Sequence, residues 1–505
     1  MDFELTEDQS LLRSAVREFA EGTVRPRAAR IDQTGEFPRD VFEEAGKLGL
    51  AGVCVPAAYG GSGMDTVSYA IVIEEISRAC ANTGVILSVN NSLVCDPIDK
   101  YGNEDQKQRF LTPLARGEKL GCFALTEPDA GSDAANQKTR AVREGDVYRI
   151  SGQKVFITCG ENADVCLLFA MTQPEKGARG ISAFLVDANS PGFDRSRHQV
   201  KLGVNASGTV EIFLTDVRVP EQDRLGNEGD GFRIAMSTLD GGRIGIAAQA
   251  VGIATEAFEA AVAYAKLRRA FGRPIADFQV IRFYLADMAT DLEAARLLTR
   301  RAAAAKDETK ERGGRFGLDA AIAKLFAAEM AQRVTTKALQ IHGGYGFTEE
   351  FPVARIWRDA RVTRIYEGTN EINRVFIFER LLKQGVVDEL PSVTPVSFIH
   401  ELLKDTFIAA ETQPRSQQVS AALSDLAILY FAESSAKARA VKTGTEFAKD
   451  AASVAVSILE ARAATAAADV FGRLGIDRKV SLPAADYSRT DALAEHVLEA
   501  NGYPA

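Results

Sequence analysis

The sequence lacks the features that would indicate a metal site, a disulfide framework or a nucleic-acid binder. Its six cysteines all lie in the first third of the 505 residues and none sits in a CxxC pair, which argues against a zinc ribbon or a set of disulfides. The net charge of -9 argues against bulk attraction to nucleic acid or to an anionic membrane. We therefore expect free thiols, no metal, no nucleic acid and a small-molecule substrate.

Targeting signals and long apolar runs are also missing. The start of the chain is acidic and contains neither the basic nor the apolar region of a signal peptide. No apolar run approaches the roughly 20 residues that a membrane span requires. These absences predict a cytoplasmic protein without a transmembrane segment.

The chain is long enough for two to four packed units, with 46% hydrophobic and 26% charged residues. Helical spacing of apolar residues covers residues 1–120 and returns over residues 231–385 and 390–505. Residues 121–230 carry short apolar runs separated by turn residues, which is typical of an antiparallel β-domain. The order predicts an α+β multidomain fold: an N-terminal helical domain, a central antiparallel β-domain, a C-terminal helical domain and a further helical extension.

One segment at the start of the β-region, Phe123–Asp133, has hydrogen-bonding groups suited to a ligand. It offers a threonine hydroxyl, a serine hydroxyl and backbone amides freed by Gly131. Such groups can bind a planar heterocycle and a nearby polar ligand. Taken alone, the same pattern is equally typical of an ordinary loop.

A second segment, Arg361–Glu371, joins two helical stretches and places Glu367 directly before Gly368. Because Gly368 has no side chain, a substrate could approach a carboxylate that lies among apolar neighbours. Partial desolvation raises the proton affinity of a carboxylate, which suits a general base. The alternative is a solvated glutamate at a helix boundary.

Seven segments, in order along roughly residues 1–385, resemble the acyl-CoA dehydrogenase family. They are Leu125–Asp133, Phe156–Thr158, Leu239–Ile244, Arg268–Gly272 with Gln279, Gln340–Gly346, Arg358–Arg361 and Ile365–Thr369. One such match would be weak, whereas an ordered set at family-like separations makes coincidence implausible. The resemblance implies a C-terminal four-helix bundle, FAD as the cofactor and an acyl-CoA substrate.

The resemblance also implies roles for individual residues. The flavin would be lined by Phe123, Leu125, Thr126, Ser132, Phe156 and Thr158, with Ser132 also reaching the thioester. The FAD of a neighbouring subunit would be reached by Arg268, Phe271, Gln279, Gln340, Gly343 and Gly344. Substrate contacts would come from Asp240, Arg243 and Gly368, and FAD contacts near a helix start from Thr369 and Glu371. A shared FAD site implies a homodimer or homotetramer.

For the chemistry, the resemblance implies that Glu367 removes the α-proton while the β-hydrogen leaves as hydride to the flavin, giving a trans-2-enoyl-CoA. An electron-transfer flavoprotein would then take the electrons. Some branched-chain members carry their base on a helix, at the position that matches Gly242, and a glycine cannot serve there. An acyl-CoA oxidase and a DNA-associated, AidB-like flavoprotein are the alternatives. The mixed charge signs after residue 390 argue against the latter.

The chain departs from the family pattern in two respects. Phe156 stands where the family usually has tryptophan, although phenylalanine also offers an aromatic face to a flavin. About 120 residues follow the end of the resemblance, where very-long-chain members carry a helical extension. We expect this extension to dock on the core and to favour a dimer over a tetramer.

Overall fold

The chain forms helices, then a sheet, then helices again, which confirms the predicted fold class. The computed structural model describes residues 4–383, 398–411, 417–476, 478, 480 and 487–503. The chain forms two compact units. The first runs from Glu7 to Gly252, and the second begins at Ile253 and includes residues 4–6.

The first unit opens with helices held together by apolar faces and a partly buried ion pair. They are α1 (Glu7–Phe19), α2 (Arg25–Thr34), α3 (Arg39–Lys47), α4 (Thr66–Ala79), α5 (Ala81–Ser88), α6 (Asp96–Tyr101), α7 (Glu104–Gln106) and α8 (Thr112–Ala115). Asp65 caps α4 by accepting a hydrogen bond from the Ser68 backbone N–H at 2.7 Å. Arg17 of α1 binds the buried Glu75 of α4 at 2.8 Å. This pair fixes the two helices against each other.

The sheet of the first unit is built on a central buried strand. Its strands are β1 (Gly121–Ala124), β2 (Arg140–Glu144), β3 (Val147–Ile157), β4 (Val165–Met171), β5 (Ile181–Asp187), β6 (Phe193–Arg195), β7 (Val210–Pro220) and β8 (Arg224–Leu225). Their order is β6-β7-β3-β2-β4-β5-β8, with β1 also paired to β4. Most neighbours are antiparallel, as predicted, but β1 and β2 each pair with β4 in parallel. Every residue of β4 is buried, so β1 runs along the interior before the chain leaves the sheet at Leu125.

Long helices make up most of the second unit. They are α9 (Gly231–Leu267, which begins in the first unit), α10 (Gln279–Arg312), α11 (Gly317–His342), α12 (Pro352–Ala360) and α13 (Asn370–Lys383). A short hairpin, β9 (Arg269–Ala270) with β10 (Arg273–Pro274), links α9 to α10. Arg355 of α12 binds Glu256 of α9 at 2.9 Å, and both side chains are buried.

Among the described residues, α9 is the one helix long and apolar enough to cross a membrane by length and composition alone. Of its most apolar window of 18 residues, 83% is buried inside the protein. The core helix of a folded protein passes the same test.

Four further helices are described after residue 397: α14 (Phe398–Glu411), α15 (Gln417–Thr443), α16 (Glu446–Arg473) and α17 (Tyr487–Glu499). They pack on the helices that precede them. Helices α10, α16 and α17 share an apolar cluster that consists of Ala286, Ala451, Val454, Leu493 and Ala494. Removal of this surface from water favours the docked arrangement.

A charged cluster strengthens the contact between α10 and α16. Asp291 of α10 is buried and accepts hydrogen bonds from Arg333 of α11 at 2.8 Å and from Arg462 of α16 at 2.7 Å. Burial alone would raise the pKa of Asp291, but the two guanidinium groups outweigh it and hold the pKa well below the usual range. One buried carboxylate therefore connects three helices.

We expect Arg462→Met to loosen the docking of α16. The substitution leaves Asp291 buried with one arginine fewer, which should lower the free energy of unfolding by about 1–3 kcal/mol. Lys449→Met is the control on the same helix, because Lys449 pairs with the exposed Glu446 and such pairs contribute about 0–1 kcal/mol. Denaturant unfolding compares the two variants. Equal effects would contradict a special role for the Asp291 cluster.

Candidate functional site

The loop that carries Glu367 has a strained backbone. It links the turn Arg361–Arg364 to α13, with φ values of 53° at Glu367 and 82° at Gly368. Both values lie in the left-handed region, which costs a residue with a side chain about 1–2 kcal/mol. The Oε2 atom of Glu367 is buried from solvent. The loop thus presents a screened carboxylate at the position predicted for the base.

Side chains from two helices hold this loop. The carbonyl oxygen of Gly368 accepts hydrogen bonds from Lys324 Nζ of α11 and from Asn373 Nδ2 of α13, each at 2.8 Å. Lys324 Nζ also donates to Asn370 Oδ1 at 2.9 Å. Lys324, Asn370 and Asn373 are all fully buried. The strained conformation is therefore held by surrounding structure rather than left to the loop.

Thr369 and Glu371, predicted to contact FAD, lie at the start of α13. Thr369 caps the helix, since its Oγ1 accepts a hydrogen bond from the Ile372 backbone N–H at 3.3 Å. A hydrogen bond from its own backbone N–H, with a second from Thr369, holds the pKa of Glu371 below its ordinary value despite some desolvation. The exposed Glu371 is therefore a carboxylate at neutral pH.

The predicted flavin residues of the first unit lie at two neighbouring strand ends. Those on or just after β1 are Phe123, Leu125 and Thr126, and those at the end of β3 are Phe156 and Thr158. A backbone hydrogen bond of 2.9 Å from the Val155 N–H to the Thr126 carbonyl joins the two ends. Ser132 lies further along the loop and is exposed. The structure thus brings five of the six residues to one place.

Phe156 is largely exposed and has an unusual backbone conformation. The residue is 67% exposed, and its φ of 58° is in the left-handed region. A large apolar ring in water on a strained backbone indicates a binding surface. A planar aromatic group can pack on such a face.

A buried ion pair between β3 and the adjoining loop anchors these residues. Lys154 Nζ binds Glu127 Oε1 at 2.8 Å, the Leu125 carbonyl at 3.1 Å and Gln137 Oε1 at 3.2 Å. Burial lowers the pKa of Lys154 to about 8. Burial opposes ionisation of Glu127 as well, but Lys154 and the Lys138 backbone N–H outweigh it and hold the pKa of Glu127 below its ordinary value. The pair is charged at neutral pH.

In the second unit, three predicted residues meet at a cavity of about 430 Å³. Its lining consists of Arg268, Gly343 and Gly344 together with Tyr264, Ile275, Ile341, His342, Tyr345, Thr348 and Glu350. His342 stacks on Tyr264 with ring centroids 4.2 Å apart, and burial lowers the pKa of His342. The wall is therefore aromatic and neutral apart from the charges of Arg268 and Glu350.

The other residues predicted to reach a neighbouring subunit are exposed. Phe271, in the hairpin, is 95% exposed and has a φ of 51°. Gln279 is the first residue of α10, and Gln340 lies near the end of α11. These side chains are accessible to a second chain.

Asp240 and Arg243, predicted to contact CoA, pair with each other on α9. Arg243 Nη1 donates to Asp240 Oδ1 at 2.7 Å, and Arg243 is buried. Gly242 lies beside them and is buried too. The partly exposed carboxylate of Asp240 therefore lies near the buried Gly242, which has no side chain that could act as a base.

Comparison with known proteins decides the family. The N-terminal, middle and C-terminal domains of acyl-CoA dehydrogenases match residues 6–118, 122–217 and 229–382. A short-chain specific acyl-CoA dehydrogenase of Clostridium acetobutylicum is 49% identical over 383 residues, which are 76% of this chain and 100% of that protein. The chain belongs to the acyl-CoA dehydrogenase family. The resemblance found in the sequence is thereby confirmed, and the protein is an acyl-CoA dehydrogenase with FAD as its cofactor.

Two solved structures of this acyl-CoA dehydrogenase fold are informative in different ways. An acyl-CoA dehydrogenase of Bacillus anthracis, complexed with FAD, covers 99% of this chain and 96% of its own, with a TM-score of 0.90 and 29% identity. A chain from work on the electron transferring flavoprotein of Acidaminococcus fermentans covers 76% of this chain and 100% of its own, with a TM-score of 0.74 and 46% identity. The first therefore also matches the helices after residue 397.

The residues present fit a flavin. The exposed ring of Phe156 offers an aromatic face, and the strand end beside it carries the hydroxyl of Thr126. Within the described ranges, no group of three or more His, Cys, Asp or Glu side chains could hold a metal ion.

Three residues that hold the two predicted loops, Lys154, Glu127 and Lys324, were not among the predicted site residues. A sequence signal was present for Lys324 alone, since Lys154 follows the polar run Ser151–Gln153 in β3. Lys324 interrupts the apolar run of α11. A lysine in such a place needs a buried acceptor, although the sequence does not say which one.

We expect Lys154→Met to destabilise the first unit strongly, because it leaves the Glu127 carboxylate buried without its cation. Breaking a buried pair in this way costs about 3–5 kcal/mol. The double variant Lys154→Met/Glu127→Gln removes both charges and should recover part of the loss, because one of the two backbone N–H donors to Glu127 would then face an amide NH2. Denaturant unfolding measures both. A double variant no more stable than the single one would show that the charge pair is not what matters.

Proposed function

We propose that the protein oxidises a short-chain acyl-CoA to the trans-2-enoyl-CoA, with Glu367 as the base. The observation that carries the proposal is the Glu367–Gly368 turn, where a strained backbone holds a screened carboxylate beside a residue that leaves room for substrate. The short-chain specificity of the Clostridium acetobutylicum relative supports a short acyl chain.

In this proposal the chain supplies proton transfer and charge stabilisation. The thioester α-hydrogen is weakly acidic, so its removal requires stabilisation of the carbonyl oxygen. The backbone N–H of Glu367 donates to that oxygen, and the Glu367 carboxylate takes the α-proton. Bound FAD supplies the acceptor for the β-hydrogen as hydride. Asp240 and Arg243 hold the CoA moiety, and Ser132 reaches the thioester.

The electron acceptor in this proposal is an electron-transfer flavoprotein. It is supported by the match to a chain from the Acidaminococcus fermentans work on such a flavoprotein. An acyl-CoA oxidase would pass the electrons to dioxygen instead. Comparison of turnover with the flavoprotein and with dioxygen as acceptors separates the two.

We propose a homodimer in which each FAD is reached by both subunits. The exposure of Phe271, Gln279 and Gln340 supports contact with a second chain. Helices α15 to α17 cover part of α10, and Arg374 of α13 binds Asp425 of α15 at 2.8 Å. In compact family members the corresponding face of the core pairs two dimers, so this cover disfavours a tetramer. The domain boundaries 1–120, 121–230, 231–385 and 390–505 and a cytoplasmic location belong to the same proposal.

We expect Glu367→Gln to slow flavin reduction by several powers of ten while FAD binding persists, because a neutral amide cannot accept the α-proton. General base catalysis contributes about 10²- to 10⁴-fold, so the rate of anaerobic flavin reduction by butyryl-CoA should fall at least that far. Glu379→Gln is the matched control, since Glu379 lies on the exposed side of α13. Near-normal reduction by Glu367→Gln would move the base elsewhere.

The assembly proposal predicts a dimer for the full chain in light scattering. A version that ends at Lys383 lacks the covering helices and should form tetramers. A tetrameric full chain would refute the covering role. An unchanged dimer after truncation would show that another surface sets the assembly.

A further inference from the structure

Lys324 is buried in a helix, and polar groups of a neighbouring loop bind its ammonium group. It is fully buried within α11, in a stretch of alanine, leucine and phenylalanine. Removal of an ammonium group from water is costly unless polar groups replace the lost hydration. Lys324 Nζ finds such groups in the loop before α13, at the Gly368 carbonyl and at Asn370 Oδ1.

The Gly368 carbonyl is thereby held from two sides. Lys324 donates from α11 and Asn373 from the first turns of α13, both at 2.8 Å. Asn370, the second acceptor of Lys324, is itself fixed by donation to Glu329 Oε1 at 2.9 Å. Glu329 lies on α11, so the network begins and ends on the same helix.

This carbonyl belongs to the residue after Glu367, so its direction is tied to the left-handed backbone at Glu367 and Gly368. A charged donor forms a hydrogen bond roughly twice as strong as a neutral one. Of the two donors to this carbonyl, only Lys324 is charged. Strained conformations persist where the surrounding structure over-determines them.

We propose that Lys324 is a positioning residue for the base: through the Gly368 carbonyl, it holds Glu367 in the backbone conformation that aims its carboxylate at the substrate. Lys324 acts without touching the substrate or the reacting atoms. The inference rests on the proposed role of Glu367. It adds a residue that is distant in sequence, since Lys324 and Gly368 are 44 positions apart.

The test is anaerobic flavin reduction by butyryl-CoA in the Lys324→Met holoenzyme, together with the dissociation constant of a non-reacting acyl-CoA analogue. Because misplacement of a catalytic group by about 1 Å can cost about 10²-fold, we expect the reduction rate to fall about 10- to 100-fold. We expect FAD content and the dissociation constant to stay within about twofold, because Lys324 is fully buried and the proposal has it act only through the loop.

Two further variants make the result decisive. Thr335→Val is the control on α11, because Thr335 is fully buried and binds only carbonyls of its own helix. It should lower thermal stability without changing the reduction rate. Asn373→Ala removes the second donor to the Gly368 carbonyl and should lower the rate in the same direction as Lys324→Met, so it decides the matter if Lys324→Met fails to fold.

A normal reduction rate in folded, FAD-replete Lys324→Met, or in Asn373→Ala when Lys324→Met does not fold, would overturn the inference. So would a rate loss that only follows the loss of FAD. Glu367→Gln separates failure of the positioning role from failure of the proposed base. If it is inactive while Lys324→Met is normal, only the positioning role is wrong, whereas near-normal reduction by Glu367→Gln removes the proposed base itself.

Discussion

In each of the two loops predicted to form the site, a backbone carbonyl binds the ammonium group of a buried lysine. Lys154 holds the Leu125 carbonyl at 3.1 Å, and Lys324 holds the Gly368 carbonyl at 2.8 Å. Each lysine depends on its loop, because an ammonium group buried without acceptors would destabilise the fold by several kcal/mol. Each loop depends on its lysine for a fixed conformation. The sheet and the helices supply the dry surroundings in which these hydrogen bonds are strong.

The same principle connects the extension to the preceding helices. The buried Asp291 is satisfied by Arg333 and Arg462, and Arg462 comes from α16. Apolar side chains of α10, α16 and α17 close around one shared cluster. Displacement of α16 would expose apolar surface and leave a buried carboxylate short of a partner, so the docked state is favoured twice. The extension is thus part of the packed second unit and not a loosely tethered segment.

Local patterns in the sequence were sufficient for the fold class, the family and the FAD cofactor. The order of helices and strands follows from hydrophobic periodicity, and the motif around Glu367 is contiguous in the chain. Other features depend on partners far apart in sequence. Asp291 and Arg462 are 171 positions apart, and the parallel pairing of β1 with β4 brings together strands about 40 residues apart that short apolar runs do not specify. Lys324 was visible as a lysine in an apolar run, whereas only the fold identifies its acceptors and the burial of Lys154.

The central claim is that Glu367 removes the α-proton of an acyl-CoA while the bound FAD is reduced. Single-turnover reduction of the bound flavin by butyryl-CoA, protonated or deuterated at the α-carbon and mixed anaerobically with the full-length holoenzyme, tests it most directly. The account predicts loss of the flavin absorbance, with slower loss for the deuterated substrate because the α-bond breaks as the flavin is reduced. An FAD-replete protein whose flavin stays oxidised with butyryl-CoA and with longer acyl-CoAs would contradict the account.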